Sequence, residues 1–432
     1  MSLQSWGMYP EIDNTVLKCD RVATLRKTVS SYPELIPHGN GRSYGDSALN
    51  KYIAHLRPRD YFLDFDETHG LLHVQAGVLL SEILEFFVPR GWFLNVTPGT
   101  KYITVGGAIA SDVHGKNHHI DGCFSEHLMS FRIMLADGEI VTCDRINTPD
   151  LWRATCGGMG LTGIILDAKL HLTRINSRYL DQTTIKTKNL KETFEAFEAN
   201  KDKPYSVAWI DCLAKSNKLG RSLLMTGEFR NDGKLDYLHK NSGSVPFNCP
   251  SFLLNNYTVR AFNWLYYSRK RDTISTQRVD LDTFFYPLDS ISHWNRIYGK
   301  SGFTQYQFIL PKDSSYEGLK EILELISKSG KGSFLAVLKL YGKSNENWLS
   351  FPMEGYGLAL DFKIENSIFE LLNRLDNIIV KHNGRIYLAK DARVSKETFE
   401  KGYPEINRFR HYRRENNMDK KFHSLQSKRL GI

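Results

Sequence analysis

Apolar residues recur along the first part of the chain with two different spacings. In residues 19–31 they stand three or four positions apart, which is the spacing of one face of a helix. In residues 61–66 and 71–78, β-branched and aromatic residues form two runs separated by a polar tetrapeptide, as two strands joined by a turn would. The pattern predicts short helices and strands in close succession.

The same mixture continues to about residue 175. Residues 129–143 hold two β-rich runs around Asp137-Gly138, which predicts a hairpin. Thr148 and Pro149 have the residue types preferred at the cap and first position of a helix. Residues 163–172 return as an apolar strand, and no regular βαβ alternation is visible. The sequence therefore indicates an α+β fold with antiparallel sheet.

The pattern changes from about residue 176, where longer strand and helix patterns extend to residue 384. Residues 213–280 interrupt them with weak periodicity, and so long an irregular segment is typical of a functional or mobile insertion. Its apolar residues form a lid, a membrane-touching patch or a local core, and the sequence leaves these three readings open. They are Phe252, Leu253, Leu254, Tyr257, Phe262, Trp264, Leu265, Tyr266 and Tyr267.

Composition excludes several classes of protein. The 432 residues are 41% hydrophobic and 24% charged, which is ordinary for a globular protein. No apolar run approaches the roughly 18–20 residues that span a bilayer, and no secretory signal is recognisable, so a cytoplasmic location is expected. The six cysteines include no CxxC pair, which argues against a cysteine zinc site.

The net charge of +9 is concentrated towards the C-terminus. Such a surface either is solvated or attracts phosphate groups of a dinucleotide, a nucleic acid or a membrane. No nucleic-acid-binding module accompanies it, so no nucleic-acid partner is expected. The basic residues are Arg408, Arg410, Arg413, Arg414, Lys420, Lys421, Lys428 and Arg429.

Three glycine-rich segments, 39–46, 98–107 and 157–163, carry the strongest chemical signal. Glycine lets backbone N–H groups converge on phosphate oxygens without an intervening side chain. No segment matches the dinucleotide fingerprint of a Rossmann fold or the phosphate loop of an NTPase. Three loops together indicate a large phosphate-bearing ligand.

These and other segments resemble the FAD-linked oxidases of the vanillyl-alcohol oxidase type, which have a PCMH-type FAD-binding domain. Within that superfamily the chain is most similar to the oxidase subunits of decaprenylphosphoryl-β-D-ribose 2-epimerases, nearly from end to end and least in residues 213–280. The segments are 38–46 (HGNGRSYGD), 98–117 (PGTKYITVGGAIASDVHGKN), 136–140 (ADGEI), 157–165 (GGMGLTGII), 286–289 (YPLD), 305–308 (QYQF), 349–353 (LSFPM) and 387–393 (YLAKDAR).

The resemblance implies two domains and non-covalent FAD. Residues 1–177, joined again by 385–432, would bind FAD, and residues 178–384 would bind the substrate on an antiparallel sheet flanked by helices. Relatives with covalent flavin carry a histidine in the segment matching 42–44, where this chain has none. The implied FAD contacts are Gly39, Asn40, Gly41, Arg42, Ser43, Tyr44, Gly45, Asp46, Gly99, Thr104, Val105, Gly106, Gly107, Ser111, His114, Ile164 and Tyr387.

The resemblance also assigns catalytic and substrate-binding residues. Lys390, at the end of an extended segment 385–389, matches the family's active-site lysine, with His114 and Lys339 as further catalytic groups. The implied substrate contacts are Lys116, Trp209, Gln305, Gln307, Lys339 and Lys390. Gly357 and Ala359 fall where some members carry asparagine and cysteine, which implies a smaller and less polar wall.

His114, His118 and His119 admit a metal-binding reading, but glycine and lysine break any i,i+4 spacing and no carboxylate pattern completes a site. No metal is therefore expected.

The function expected from the resemblance is oxidation of a sugar secondary alcohol to a keto sugar. The substrate would be a sugar or lipid-linked phosphosugar, met at the inner membrane face, and an NAD(P)H-dependent short-chain reductase would complete an epimerisation. An oxygen-using aldonolactone or alditol oxidase is the alternative enzyme. A non-catalytic flavin or sugar-phosphate binding protein in envelope assembly is the alternative from another class.

Overall fold

A computed structural model describes residues 2–237, 243–250 and 254–432. Phe252 and Leu253, named above among the apolar residues of the insertion, lie outside the described residues. The strands are β1 (Thr15–Lys18), β2 (Ile36–His38), β3 (Tyr52–His55), β4 (Phe62–Asp66), β5 (Leu71–Gln75), β6 (Trp92–Leu94), β7 (Leu128–Met134), β8 (Ile140–Cys143), β9 (Ile164–Arg174), β10 (Tyr179–Thr187), β11 (Tyr205–Ile210), β12 (Ser222–Phe229), β13 (Gly243–Ser244), β14 (Ile274–Asp280), β15 (Ile291–Ser292), β16 (Phe303–Pro311), β17 (Ala336–Tyr341), β18 (Gly355–Lys363) and β19 (Arg385–Ile386).

The helices lie mostly between and after these strands. They are α1 (Val22–Ser31), α2 (Leu80–Phe87), α3 (Val105–Ala110), α4 (His118–Asp121), α5 (Pro149–Thr155), α6 (Leu190–Ala199), α7 (Asn256–Ser268), α8 (Leu281–Phe285), α9 (Lys312–Ser329), α10 (Ile368–Lys381), α11 (Lys396–Gly402), α12 (Ile406–Glu415) and α13 (Leu425–Leu430). Helices combined with antiparallel sheets confirm the α+β class.

Two sheets form the N-terminal part of the chain. A parallel sheet has the order β1-β3-β2, and a larger antiparallel sheet has the order β4-β5-β9-β7-β8, with β6 paired to the far end of β9. The predicted hairpin is confirmed, because β7 pairs antiparallel with β8 from Phe131 opposite Cys143. The predicted helix start is confirmed as well, since α5 has Pro149 in its first turn.

An eight-stranded sheet, in the order β14-β10-β12-β11-β17-β18-β16-β19, dominates the middle of the chain. Helices α9 and α10 pack on β16 and supply apolar side chains such as Leu319, Ile322, Leu372 and Leu375 to a shared core. That core covers one face of the sheet. Because successive side chains of a strand point to opposite faces, the other set remains free to form a site.

The C-terminal segment returns to the N-terminal part. The Leu35 N–H donates to the Lys421 carbonyl at 2.9 Å, and the His423 N–H donates to the Leu35 carbonyl at 3.1 Å. Arg413 is 1% exposed and donates to the carbonyls of Leu161 and Phe422. The guanidinium therefore holds the last helices against the third glycine-rich segment, 157–163.

The basic C-terminus is consequently not a free cationic surface. Besides Arg413, Lys421 donates to the carbonyls of Val29 and Tyr32. Arg408, Arg410, Lys428 and Arg429 form ion pairs with carboxylates of the same chain. Most of the basic side chains of this segment are therefore engaged in contacts within the chain.

The predicted irregular insertion 213–280 is largely regular where it is described. It contains β12, α7 and β14, and β10 lies between the two strands in the sheet. The side chain of Asn255 caps α7 by accepting from the N–H groups of Tyr257 and Thr258. The helical period was hidden because α7 carries large apolar residues on its exposed side as well, among them Tyr257 and Trp264.

Candidate active site

A cavity of about 710 Å³ lies between the glycine-rich segments and the uncovered face of the eight-stranded sheet. Its volume is in the upper part of the range for small-molecule sites, about 300–1,000 Å³. All three glycine-rich segments contribute to the wall, as do strands β11, β16, β17 and β18. The cavity therefore joins the part of the chain expected to bind a phosphate ligand to the part expected to bind a substrate.

The first glycine-rich segment has unused backbone donors. Within residues 2–237, 243–250 and 254–432, the N–H groups of Asn40, Gly41, Arg42 and Ser43 have no acceptor. Gly41 has a φ of +61°, a left-handed conformation that glycine adopts without strain. A row of free N–H groups beside a cavity is an arrangement that binds anionic oxygens.

Close packing of two loops explains why Gly39 is a glycine. A Cβ at this position would lie 2.4 Å from the Thr104 Oγ1 atom, closer than real contacts allow. The same Oγ1 accepts from the Gly107 N–H at 3.1 Å and so caps α3. The segments at 39–46 and 98–107 are thereby held edge to edge along the cavity.

Arg42 extends this wall with a cationic side chain. Its guanidinium carbon lies 4.0 Å from the ring centroid of Trp6 and 5.3 Å from that of Tyr102. Its Nε atom is buried and has no hydrogen-bond partner among the residues that the structure describes. A guanidinium whose buried Nε–H is free to donate fits an anionic ligand.

The opposite wall of the cavity is formed by alternate residues of neighbouring strands, whose side chains share one face of the sheet. Gln305 pairs with Asp361 and Gln307 with Ala359, while Val337 pairs with both Ala359 and Trp209. Residues two apart share a face, so these positions and their neighbours at 339 and 357 all face the cavity. The lining set from this sheet includes Val207, Trp209, Gln305, Gln307, Val337, Lys339, Tyr341, Gly357, Ala359 and Asp361.

Three half-buried lysines line the cavity, and burial lowers the pKa of each amine. The pKa falls to about 7 for Lys116 and to about 8 for Lys339. Burial also lowers the pKa of Lys390 to about 7, which Asp361 opposes and Lys339 reinforces. Near neutral pH the amines of Lys116 and Lys390 are therefore partly uncharged and can accept a proton, whereas the amine of Lys339 is mostly protonated.

His114 is a buried residue of the cavity wall. Its Nε2 atom is 3.0 Å from the Tyr341 hydroxyl and 3.1 Å from the Gln307 side-chain nitrogen, both of which can donate to it. Burial and the nearby charges of Lys339, His118 and Lys390 hold the pKa of His114 well below its usual range. The imidazole is therefore neutral, and it orients Gln307 and Tyr341 in the wall.

The extended segment predicted before Lys390 is shorter than expected, because strand β19 covers only Arg385–Ile386. A turn follows, in which the Lys390 N–H donates to the Tyr387 carbonyl at 3.0 Å. The turn directs Lys390 across the cavity, where its Nζ atom lies 3.6 Å from the Tyr44 ring centroid. The Tyr387 hydroxyl donates to the Ser111 carbonyl and ties this turn to the end of α3.

Most residues implied by the resemblance line this one cavity. Those in the wall are Gly39, Asn40, Gly41, Arg42, Ser43, Tyr44, Gly99, Thr104, Gly106, Gly107, Ser111, His114, Lys116, Trp209, Gln305, Gln307, Lys339, Tyr387 and Lys390. Four others, Gly45, Asp46, Val105 and Ile164, do not line it.

These four residues make their contacts away from the cavity. A Cβ on Gly45 would lie 1.9 Å from the Asp391 carbonyl oxygen, so the residue faces the C-terminal segment. Asp46 forms an ion pair with Arg429 at 2.8 Å. Val105 and Ile164 are fully buried in the N-terminal core.

Three functional candidates were missed. Asp361 and Tyr341 face the cavity from the sheet, and Asp289 accepts from the Thr100 hydroxyl and the Lys101 N–H, each at 2.8 Å. A carboxylate within the apolar strand 356–362 was a visible signal for Asp361, because buried strands seldom carry an unpaired charge. Tyr341 shares a face with Lys339, which its two-residue spacing indicates.

The wall near Gly357 differs from the smaller, less polar surface that was expected. A Cβ on Gly357 would lie 2.7 Å from the ring of Tyr341, so the tyrosine occupies the space beside the glycine. The hydroxyl of that tyrosine faces His114. The space that a side chain at position 357 would take is therefore occupied by the Tyr341 ring from the neighbouring strand.

Residues 2–237, 243–250 and 254–432 hold no group of three His, Cys, Asp or Glu side chains arranged to bind a metal. His118 accepts from the Gly342 N–H through Nδ1, and His119 contacts the Lys203 carbonyl. Within the same residues, no helix is long and apolar enough to cross a membrane.

Comparison with known proteins identifies the family. Residues 16–144 match the model of an FAD binding domain. The decaprenylphosphoryl-β-D-ribose oxidase of Mycolicibacterium smegmatis is 36% identical, over 100% of this chain and 97% of that protein. The chain belongs to the family of this FAD-dependent oxidase. It is thus an FAD-dependent oxidoreductase acting on CH–OH groups, and the reading as a non-catalytic binding protein is set aside.

Two sugar-lactone oxidases are similar to a smaller share of the chain. The D-arabinono-1,4-lactone oxidase of Candida glabrata is 22% identical over 45% of this chain and 37% of its own length. The L-gulonolactone oxidase of Mus musculus is 27% identical over 31% of this chain and 30% of its own length.

The described residues fit the FAD of this family. The free N–H groups of residues 40–43 and the unpartnered Nε of Arg42 suit a pyrophosphate. Gly99 leaves open space, with nothing within 4 Å of an added Cβ. The lysines at the opposite end of the wall suit the negative charge that a reduced flavin acquires.

Proposed function

We propose that the protein oxidises a secondary hydroxyl of a lipid-linked phosphoribose, or of a closely related sugar, to a ketone. Decaprenylphosphoryl-β-D-ribose oxidase, which aligns over the whole chain, supports a substrate of this class. The observation that carries the proposal is one cavity in which glycine loops with free N–H groups face three lysines of lowered pKa.

Oxidation of an alcohol removes a hydride from carbon and a proton from oxygen. Bound FAD supplies the two-electron acceptor for the hydride. The neutral amine of Lys390 takes the hydroxyl proton, since its pKa of about 7 leaves it partly unprotonated at neutral pH. The carbon–oxygen double bond forms as both leave.

The other residues of the wall orient the sugar. Gln305 and Gln307 offer amide groups to sugar hydroxyls, and the indole of Trp209 covers an apolar side of the ring. Lys339, with a pKa of about 8, supplies positive charge near the reacting centre. Lys116 donates to the Phe284 carbonyl and adds charge at the edge of the site.

FAD binding in this proposal is non-covalent and involves two domains. Residues 1–177 and 385–432 form the FAD domain, and residues 178–384 form the substrate domain. The ion pairs and hydrogen bonds between the C-terminal segment and residues 35–46 support this division. Arg42-Ser43-Tyr44 offers no histidine for a covalent bond to the flavin.

Helix α7 supports a lipid-linked rather than a soluble sugar. Phe262 and Tyr266 line the cavity, while Tyr257, Trp264 and Leu265 are 82%, 58% and 59% exposed. One helix therefore connects the cavity wall with an apolar outer surface. This surface would touch a membrane peripherally and receive the polyprenyl chain, and a separate NAD(P)H-dependent short-chain reductase would reduce the keto sugar.

The proposal is tested in two stages. Acid precipitation of the purified protein should release FAD into the supernatant, whereas yellow colour kept in the pellet would contradict non-covalent binding. The FAD-bound protein is then mixed anaerobically with polyprenylphosphoryl ribose or free ribose. Bleaching of the flavin by the lipid-linked sugar alone supports the proposal, and equal bleaching by both sugars refutes the lipid preference.

The similarity of part of the chain to sugar-lactone oxidases favours a second candidate, a sugar-lactone oxidase that reduces oxygen. Fast reoxidation of the reduced flavin by air, with one hydrogen peroxide per sugar, would support it. Slow reoxidation by air and fast reoxidation by a soluble quinone would exclude it.

A further inference from the structure

A short segment from the second half of the chain packs against the second glycine-rich segment. It comprises residues 281–289, which form α8 and the turn after it, and it lies outside the matched FAD binding domain at residues 16–144. Both segments contribute residues to the cavity wall. An element from outside the FAD binding domain therefore borders one of the loops that the resemblance implies in FAD binding.

The carboxylate of Asp289 fixes the backbone just after Gly99. Its Oδ1 atom accepts from the Thr100 hydroxyl and its Oδ2 atom from the Lys101 N–H, each at 2.8 Å. Gly99 is an implied FAD contact in the cavity wall, and nothing lies within 4 Å of a Cβ added to it. The two hydrogen bonds therefore set the backbone beside the open space that FAD would occupy.

Two more side chains of the same segment reach this loop. The Nζ atom of Lys101, which is 1% exposed, donates to the two carboxylate oxygens of Asp282 at 2.9 Å and 2.8 Å. The hydroxyls of Tyr286 and Thr97 are 2.7 Å apart. Together with Asp289 these two residues of the segment are spaced four and three positions apart, which puts them on one side of a helical segment. The loop is therefore held both before and after its glycine.

Helix α8 also contacts the loop on the other side of α3. The Nζ atom of Lys116 donates to the Phe284 carbonyl and lies 4.5 Å from the centroid of the Phe284 ring. Lys116 follows His114 by two positions, in the loop between α3 and α4. The loops before and after α3 are therefore both fastened to one short helix, and both line the cavity.

The glycines of the second segment make its anchoring important for FAD binding, because glycine loses more conformational freedom on ordering than any other residue. A loop that is already ordered binds a ligand more tightly than a mobile one, since fixing it no longer opposes binding. The ammonium of Lys101 is almost fully buried, so water and salt screen its pair with Asp282 less than a surface pair. This ion pair is therefore a strong anchor for the loop.

We propose that Asp282 and Asp289 are positioning residues for FAD, which act through Lys101 and Thr100 by holding the loop around Gly99 in the conformation that binds the cofactor. Retention of FAD then depends on side chains that lie outside the FAD binding domain. The inference concerns the cofactor alone and is independent of the sugar that the protein oxidises.

The test measures the rate of FAD release. The FAD-bound protein is diluted into buffer without FAD, and the flavin that remains with the protein is measured by its absorbance after timed ultrafiltration. Asp282→Asn keeps the shape of the side chain but leaves the buried ammonium of Lys101 without its carboxylate. We expect release to be about 10–100-fold faster, the range that corresponds to losing one hydrogen bond between charged groups from the bound state.

Asp211→Asn is the matched control. Asp211 pairs with Arg221 at 2.7 Å and its side chain is 4% exposed, so this variant also leaves a cation without its carboxylate, but away from the cavity wall. Both variants should lower the melting temperature, and only Asp282→Asn should accelerate FAD release. An unchanged release rate in Asp282→Asn overturns the inference, and so does an equal acceleration in both variants.

A second pair of substitutions serves if Asp282→Asn does not fold. Thr100→Val removes one hydroxyl from a half-buried residue, and Asp289→Asn removes the charge that accepts from it. Each should accelerate FAD release by about tenfold. In the double variant the acceleration should be smaller than the product of the two single effects, because both changes remove the same contact. Release that equals the product, or that stays at the wild-type rate in both single variants, refutes the inference.

These readouts do not involve sugar turnover. Faster FAD release in Asp282→Asn, in a protein that oxidises no sugar, would refute the proposed function and leave this inference intact. Oxidation of the lipid-linked sugar by the wild type, together with an unchanged release rate in Asp282→Asn, would do the reverse.

Discussion

Arg429 joins two segments beside the cavity that are far apart in the chain. Its guanidinium donates to Asp46, in the first glycine-rich segment, at 2.8 Å and to Asp391, next to Lys390, at 2.9 Å. The side chains of the two aspartates are 5% and 3% exposed. Arg429→Met retains most of the side-chain volume and leaves two buried carboxylates without their common cation.

The magnitude follows from the burial of the three groups. Removing one partner of a buried ion pair costs about 3–5 kcal/mol. Arg429 is 24% exposed, and water can partly replace it, so we expect a loss of about 2–3 kcal/mol in the free energy of unfolding. Lys428→Met is the matched control, because Lys428 is 47% exposed in its pair with Glu34, and such pairs contribute about 0–1 kcal/mol.

The loss should also depend on pH. Burial raises the pKa of Asp46, and Arg429 opposes that rise in the wild type. Without Arg429 the folded-state pKa lies further above the unfolded value. The destabilisation is then small at low pH, where the carboxyl is protonated in both states, and grows as pH rises through the folded-state pKa.

Thermal unfolding measured at about pH 5 and pH 8, with tryptophan fluorescence for the protein and flavin fluorescence for FAD release, checks both statements. We expect Arg429→Met to release FAD at a lower temperature than Lys428→Met, with the larger difference at pH 8. Equal melting temperatures in the two variants, or a larger difference at pH 5, would refute the reasoning.

Three further outcomes are expected. Lys390→Met should retain FAD, but substrate should bleach the flavin about 10²–10⁴-fold more slowly in a single turnover, and unchanged bleaching would reassign the base. In the wild type, kcat/KM should rise with pH through about 7 as the amine of Lys390 loses its proton. Trp264→Ser combined with Leu265→Ser should raise KM for the polyprenylphosphoryl sugar and leave KM for its short-chain analogue unchanged, because both side chains are exposed; equal effects would contradict the lipid contact. Gly45→Ala should destabilise the protein by about 1–3 kcal/mol in thermal unfolding, because its Cβ would lie 1.9 Å from the Asp391 carbonyl oxygen; an unchanged melting temperature would contradict the close approach.

Local signals in the sequence predicted the parts of the fold that depend on neighbouring residues. Asp137-Gly138 marks the turn between β7 and β8, and Pro149 starts α5, because turn and cap preferences act within a few residues. Helix α7 was missed although Asn255 and Thr258 form a capping box at its start. Its aromatic residues lie on exposed and half-buried sides alike, so the periodicity that reveals an amphipathic helix was absent.

The candidate site could be predicted only in part, because strand neighbours are not local. Alternation places Gln305 with Gln307 on one face of β16, but nothing in that strand indicates that Asp361 stands opposite Gln305. The resemblance supplied Lys390 and Lys339 as active-site residues. It did not supply Asp361, which accepts from Gln305 through a register that only the assembled sheet defines.

The same register shows why single positions of this wall are poor guides to the substrate. Gly357 alone implies an open and apolar surface, yet the Tyr341 ring fills the space beside it and its hydroxyl faces His114. Because a side chain at 357 and the ring at 341 compete for one volume, the two positions determine the wall together. Shape and polarity near the reacting centre are therefore properties of adjacent strands. The substrate should therefore be inferred from positions 341 and 357 together and not from the residue at 357 alone.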